Sequence, residues 1–300
     1  MILVTGGTGF VGTHLLQRMR KEGLPVRALV RDTAKAGPLQ DLGVEIAEGA
    51  ISDRAALERA AAGCERVIHL VGIIQEAPGQ TFHAVHVDGT KNLLEASRKA
   101  GARHIVFQSA LGTRPRAKSA YHRTKWEAEE LVRASGIPFT ILRPSLIYGP
   151  GDLFTVRLAD MIRRSPVIPI IGSGKAKVQP LFIEDMAACL LKTVQGDAFL
   201  NEIYELGGPE QLTYAQVTAA IAEALGVKRP TLHLPLFFIQ PMARMLETVL
   251  PRPPVTTDQL IMLQEDTVCA LRDIRDAFGI EPIGFKQGLS TFLSARNKNT

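Results

Sequence analysis

Tyr121 and Lys125 stand four residues apart in Tyr121-His122-Arg123-Thr124-Lys125, which opens a stretch that reads as a helix from Trp126 to Ala134. Four residues is about one helical turn, so a phenol and an ammonium share a face. A phenol with an ordinary pKa near 10 is almost wholly protonated at neutral pH. A neighbouring cation favours the phenolate, and about 1.4 kcal/mol of such preference makes the phenol ten times more acidic. That pairing suits Tyr121 to general acid or base work. Twelve residues earlier, Ser109 closes the run Arg103-His104-Ile105-Val106-Phe107-Gln108, which reads as the fifth strand of an alternating α/β chain. Its hydroxyl can polarise a carbonyl or hydroxyl oxygen. The plainer alternative makes Tyr121 and Lys125 helix-surface residues and Ser109 a cap.

Such a trio needs a scaffold, and the first twelve residues supply its beginning. Met1-Ile2-Leu3-Val4-Thr5 reads as a buried strand, glycines follow at positions 6, 9 and 12, and a helix begins before His14-Leu15-Leu16-Gln17-Arg18-Met19. Strand, glycine turn and helix in that order make a dinucleotide site. Gly6 allows a tight turn, Gly9 lets the backbone approach a pyrophosphate, and Gly12 lets the helix lie close to the sheet. Backbone N–H groups around Thr8, Phe10 and Val11 then face the phosphates, supported by the helix dipole.

The second strand, Pro25 to Val30, ends at Arg31-Asp32-Thr33-Ala34-Lys35. A carboxylate at that end would hydrogen-bond an NAD ribose, whereas arginine can clamp a 2′-phosphate. Arg31 comes first, with Lys35 nearby, so NADP(H) is preferred; Asp32 keeps NAD(H) open. A third strand, Val44 to Ala47, leads to Ala50 and Ile51, and Asp53 is placed to cap the helix Arg54 to Ala62. A fourth strand, Arg66 to Gly72, sets Leu70 and Val71 at the cofactor's border. His69, within it, reads as a packed histidine rather than a base.

The spacing Gly6-x-x-Gly9-x-x-Gly12 resembles that of the extended and atypical short-chain dehydrogenase/reductases, which are NAD(P)-dependent enzymes of the epimerase/dehydratase type on a Rossmann fold. Further along, His86-Val87-Asp88-Gly89-Thr90-Lys91-Asn92-Leu93-Leu94-Glu95-Ala96 resembles that family's NVxGTxNLLEAA helix, with Asp88 taken for the usual asparagine. Thr140-Ile141-Leu142-Arg143-Pro144-Ser145-Leu146-Ile147-Tyr148-Gly149-Pro150-Gly151-Asp152 resembles its TILRPxxxYGPGD turn, and Gln179 to Ala187 its PxxVxDxA segment. The resemblance covers at least residues 1 to 225. It implies that Lys125 also binds the nicotinamide ribose, and that Pro144, Ser145 and Ile147 lie beside the nicotinamide. It leaves two frames for the hydroxyl: aligned on a second hydroxyl position, Ala110 takes the catalytic place and Ser109 a supporting one. Relatives commonly carry GD where this chain has Gly49-Ala50, so Ile51 could only pack against the adenine. Asp185 reads as a helix cap. Within the family, Ser109-Ala110-Leu111-Gly112, the Tyr121 helix and Pro254 to Leu260 resemble bacterial relatives of the alpha-subcomplex subunit 9 of respiratory complex I. The mitochondrial member of that group holds NADPH as an accessory subunit without a known turnover.

The expected architecture is a Rossmann-type doubly wound parallel sheet with a smaller, mainly helical C-terminal substrate lobe. The core would comprise residues 1–150 with 178–206 returning to it, and the lobe 151–177 and 207–300. The 300 residues, 46% apolar, suffice for such a core. The three cysteines show neither disulfide nor zinc spacing, so no metal is expected and a cytoplasmic location fits. A first strand starting at Met1 leaves no room for a signal peptide. A net charge of +5, four Tyr and one Trp give nucleic-acid binding little support. The apolar run from Pro230 to Ala243 is too short to span a bilayer, yet it could touch a membrane surface or a hydrophobic, quinone-like ligand.

Three functions follow. One is an NAD(P)-dependent oxidoreductase acting on a small or lipid-like carbonyl or alcohol. Another is a non-catalytic NADPH-binding assembly protein with a peripheral membrane or respiratory-complex contact. The last is a nucleotide-sugar epimerase or dehydratase, disfavoured because no acid adjoins Ser109 and the gap to Tyr121 is short. Monomer and homodimer both stay open.

Overall fold

The computed structural model describes residues 1–293. The chain runs β1 (Ile2–Thr5), α1 (Phe10–Lys21), β2 (Val26–Val30), α2 (Gly37–Asp41), β3 (Glu45–Glu48), α3 (Arg54–Ala61), β4 (Arg66–His69), α4 (Gly89–Lys99), β5 (His104–Gln108), α5 (Ala120–Arg133) and β6 (Phe139–Pro144). It continues through β7 (Ile147–Tyr148), α6 (Leu153–Arg164), β8 (Ile168–Ile171), β9 (Lys177–Val178), β10 (Leu181–Phe182), α7 (Ile183–Val194), β11 (Glu202–Leu206), β12 (Leu212–Thr213), α8 (Tyr214–Ala224), β13 (Thr231–Leu234), α9 (Leu236–Val249), α10 (Thr257–Met262) and α11 (Phe285–Ser290).

Seven strands form one sheet in the order β11-β6-β5-β4-β1-β2-β3. The pairs from β3 across to β6 are all parallel. Chain order reverses between β1 and β4, the place where a doubly wound sheet opens a crevice beyond its carboxyl ends. The strands are short and apolar because both faces are covered. On one face Leu3, Val67, Ile105 and Ile141 meet Leu57, Leu93 and Val132 from α3, α4 and α5. Helix starts follow the capping rules: Asp53 accepts from Ala56 N–H at 3.0 Å to start α3, and Ser119 accepts from His122 N–H at 3.1 Å to start α5.

Two compact units divide the chain: Met1–Arg143 with Met186–Tyr204, and Pro144–Asp185 with the chain from Glu205 onward. The second unit is mainly helical, as expected. Besides α6 and α8 to α11 it carries three two-stranded pieces, β7 with β10, β9 with β12, and β8 with β13. Asp185 sits inside the first turn of α7, and its carboxylate accepts the N–H of Ile283 at 2.9 Å. Among the described residues no helix is long and apolar enough to cross a membrane.

One ion-pair group fixes the helix that carries Tyr121. Glu129 on α5 is fully buried, and Arg143 at the end of β6 holds it bidentately at 3.0 and 2.7 Å. Arg133 adds a bond at 3.0 Å, and both guanidiniums lie over the Trp126 ring, at 4.7 and 5.8 Å. Removing one side of a buried pair strands the other's charge. Glu129→Ala is therefore expected to cost about 3 kcal/mol or more in a denaturant melt, whereas a surface pair such as Lys99–Glu58, truncated in the same way, should cost under about 1 kcal/mol.

Candidate functional site

The glycine turn is built so tightly that side chains are excluded. Gly6 has φ +81, and a Cβ there would lie 3.0 Å from the Leu70 carbonyl carbon and 3.1 Å from the Val71 nitrogen. A Cβ on Gly12 would lie 2.2 Å from the Gly6 oxygen, so α1 can start only over a glycine. Beside Gly9 the one atom within 4 Å of such a Cβ is the Gly6 oxygen, at 3.2 Å. Gly9 caps α1 without a side-chain bond, and the first turn holds no acid. The backbone N–H groups around Phe10 and Val11 thus form a positive terminus suited to a diphosphate. Thr8 is exposed at the turn, and Leu70 and Val71 lie directly against Gly6.

At the end of β2, Asp32 is occupied: its carboxylate accepts from Ala34 N–H at 3.2 Å and pairs with Lys35 at 3.5 Å. Arg31, the first residue past the strand, is exposed. Lys35 is drawn into the Asp32 pair. Ile51 turns inward: a Cβ on Gly89 would lie 2.8 Å from it, so its side chain covers the start of α4. Ala50 is half-buried, and its carbonyl receives Asp53 N–H at 3.0 Å.

Lys125 is buried and points at the carboxyl end of β5. Its Nζ donates to the Gln108 carbonyl at 2.6 Å and lies 4.5 Å from the centre of the Phe107 ring. The Gln108–Ser109 peptide is thereby held from both sides, because Ser109 N–H donates to the Leu142 carbonyl at 2.7 Å. Ser109 itself is buried, its hydroxyl 3.4 Å from Thr113 Oγ1. Burial, partly offset by the Glu129 charge, lowers the Lys125 pKa to about 8. Burial likewise pushes the Tyr121 phenol up to about 12. The simple expectation that Lys125 lowers the phenol does not describe the chain alone, since desolvation dominates.

A polar chain missed in the sequence joins the glycine turn to this helix. Thr5 Oγ1 lies 2.7 Å from His69 Nδ1, His69 Nε2 lies 3.1 Å from Thr90 Oγ1, and Thr90 donates to the His86 carbonyl at 2.5 Å. The His86 ring carries the chain on: Nε2 accepts from Ile73 N–H at 3.1 Å and Nδ1 donates to Thr124 Oγ1 at 2.9 Å. Thr124 in turn donates to the Ala120 carbonyl at 2.9 Å. Each partner fixes a tautomer, and both rings stay neutral. Burial and the Lys125 charge lower His69 to about 3 and His86 to about 2. The Tyr121 ring stands edge-on to His86 at 5.5 Å and to Phe82 at 6.0 Å.

The signal for His86 was present. Aligned on Val87, Gly89 and Thr90, the motif's asparagine falls on His86 and not on Asp88, which instead lies 3.2 Å from His83 at the surface. A π-helical turn, His83–Asp88, aims the ring inward.

Pro144, Ser145 and Ile147 belong to the second unit. The Ser145 hydroxyl donates to the Thr267 carbonyl at 2.7 Å and accepts from Gln179 N–H at 3.0 Å; Ile147 pairs with Leu181. Pro144 is buried at the end of β6. Among the described residues no group of three or more His, Cys, Asp or Glu is placed to hold a metal ion.

The model of the NAD dependent epimerase/dehydratase family matches residues 2–207. The chain is 35% identical to ceramide reductase of Caulobacter vibrioides over 239 residues, 78% of this chain and 74% of that protein. It is 28% identical over 280 residues, 88% of this chain and 70% of the other, to NADH dehydrogenase (ubiquinone) 1 alpha subcomplex subunit 9, mitochondrial, of Arabidopsis thaliana. Among solved structures, UDP-glucuronic acid 4-epimerase from Bacillus cereus in complex with UDP-glucuronic acid and NAD superposes with a TM-score of 0.77 at 19% identity, covering 100% of this chain and 99% of that one. That likeness shows the fold.

The Tyr121 environment makes a spectroscopic prediction. In ultraviolet titration, the difference between the native chain and Tyr121→Phe should show no phenolate below about pH 11 when nucleotide is absent, because desolvation holds the proton. Adding NADP+ should move that signal to lower pH, since a positive ring beside the phenol favours its anion. An unchanged titration would separate Tyr121 from the nicotinamide.

Proposed function

The chain belongs to the NAD dependent epimerase/dehydratase family, and from that premise we propose that it is an NADP(H)-dependent oxidoreductase acting on a lipid-like carbonyl or alcohol. The observation that carries the reading is Lys125, one turn from Tyr121 on α5, tied at 2.6 Å to the peptide that precedes Ser109. The glycine turn with Leu70 and Val71 would hold a dinucleotide, and Arg31 its ribose phosphate. Bound there, the cofactor supplies or accepts hydride at its nicotinamide.

In reduction Tyr121 gives its proton to the substrate oxygen as hydride reaches the carbon, and in oxidation it takes that proton back. A neutral phenol with its proton in place is ready for the first direction. The Lys125 ammonium, with a pKa near 8, is mostly charged at neutral pH and stabilises the phenolate left behind. Ser109 donates to the same oxygen and orients the substrate. The similarity to ceramide reductase favours a reductase with a long-chain substrate. A cytoplasmic location rests on cysteine usage alone.

Tyr121→Phe tests the chemistry. Turnover with a panel of long-chain ketones and NADPH should fall about 10²- to 10⁴-fold, with nucleotide affinity unchanged. Equal turnover by the variant would remove the reading.

Arg31→Ala tests the cofactor. It should weaken NADPH binding about ten-fold or more and leave NADH nearly untouched, as for loss of a charge-assisted bond. Equal losses for both nucleotides would point to a general fault in the fold.

A second reading, a nucleotide-holding assembly protein, draws on the similarity to the Arabidopsis complex I subunit. It requires that the chain retain nucleotide, oxidise none of it with any substrate offered, and tolerate Tyr121→Phe in cells. A rise in melting temperature with a UDP-sugar would instead favour the epimerase chemistry common in the family.

A further inference from the structure

Helix α9 (Leu236–Val249) turns its apolar side outward. At 3.6 residues per turn, Phe237, Phe238, Met242, Met245 and Val249 fall on one face. They are 66%, 65%, 43%, 60% and 70% exposed. The opposite face holds the buried Ala243 with the half-buried Leu236, Ile239 and Leu246. An exposed helix face in a globular protein is ordinarily polar, and a contiguous exposed apolar patch marks an interaction site. Phe237 and Phe238 rest on each other with ring centroids 3.9 Å apart, both in contact with solvent.

Charge around the helix identifies the partner. Between residues 228 and 252 lie Lys228, Arg229, Arg244 and Arg252 against the single acid Glu247. Arg229 is occupied with the carbonyls of Ile162 and Arg163. The exposed Arg244 stands at the rim of the apolar face, and the exposed Lys228 and Arg252 flank the segment. Glu247 is on the other side, accepting from Thr257 N–H at 2.7 Å and from its hydroxyl at 2.8 Å. An apolar face with one polar residue, Thr248, within it, with Arg244 at its rim, two further cations flanking the helix in the chain and its one acid turned away, is the pattern of a helix that lies in a lipid interface. A second copy fits less well. One face of a 14-residue helix covers about 200 Å², far below the roughly 800 Å² per partner of a stable interface.

We propose that α9 docks the protein on an anionic membrane surface, with Phe237, Phe238 and Met245 entering the headgroup boundary and Arg244 and Arg252 meeting lipid phosphates. Docking is independent of turnover and would hold for a catalytic or a non-catalytic chain.

The test is co-sedimentation of the full chain with phosphatidylcholine vesicles, with and without phosphatidylglycerol. Capture should require the anionic lipid and should fall about five-fold or more in the double variant Phe237→Ser, Phe238→Ser. Arg244→Glu with Arg252→Glu should lower it comparably. Both variants replace exposed side chains, so an unchanged melting temperature certifies their folding. Equal capture by neutral and anionic vesicles, or none by either, would overturn the proposal. So would a concentration-dependent dimer in analytical ultracentrifugation that the double phenylalanine variant dissolves, for it would assign the face to a second copy.

Discussion

Two imidazoles that cannot afford a charge hold the first unit's functional parts in register. His69 and His86 are buried where protonation is strongly disfavoured, so each must find one acceptor and one donor among its neighbours. The partners come from β1, α4, α5 and the backbone at Ile73. Unlike packed methyl groups, these bonds have direction, so a slip of α5 along the sheet would leave several buried polar atoms unsatisfied. The position of Tyr121 is thus fixed by a network that begins under the glycine turn.

Lys125 meets a related demand. An ammonium taken out of water needs an acceptor, and the Gln108 carbonyl at the end of β5 supplies one. Glu129, one turn further along α5, keeps the surroundings favourable to the cation and is itself held by Arg133 and Arg143. One helix therefore carries opposite charges at successive turns, one toward the end of β5 and one toward its anchor on β6.

What could be read from the sequence was what depends on near neighbours in the chain. The strand, glycine turn and helix of residues 1–21 fall within one local unit, and Tyr121 and Lys125 share a helix turn, so their types and spacing sufficed to bring them together. The parallel sheet followed from the alternation of apolar runs and helices. The motif puts His86 at its asparagine position, but the bonds His86 makes were not legible, because they need Ile73, Thr124 and a π-helical turn, none of which periodicity reveals. The bond from Ile283 N–H to Asp185 was likewise not legible, because its partner lies 98 residues further on. The raised phenol of Tyr121 depends on how much water the fold excludes, a property of all its neighbours at once.

The edge strand β11 has a consequence for how the molecule is made. It lies beside β6 in the sheet, yet Glu202–Leu206 is synthesised some sixty residues after β6 is complete. Until those residues leave the ribosome, β6 presents a row of open amides and carbonyls, the kind of edge that invites pairing with another chain. Nascent molecules on a crowded polysome would meet that hazard during the whole passage from Pro144 to Leu206. A chaperone that shields a half-finished sheet would have its work there.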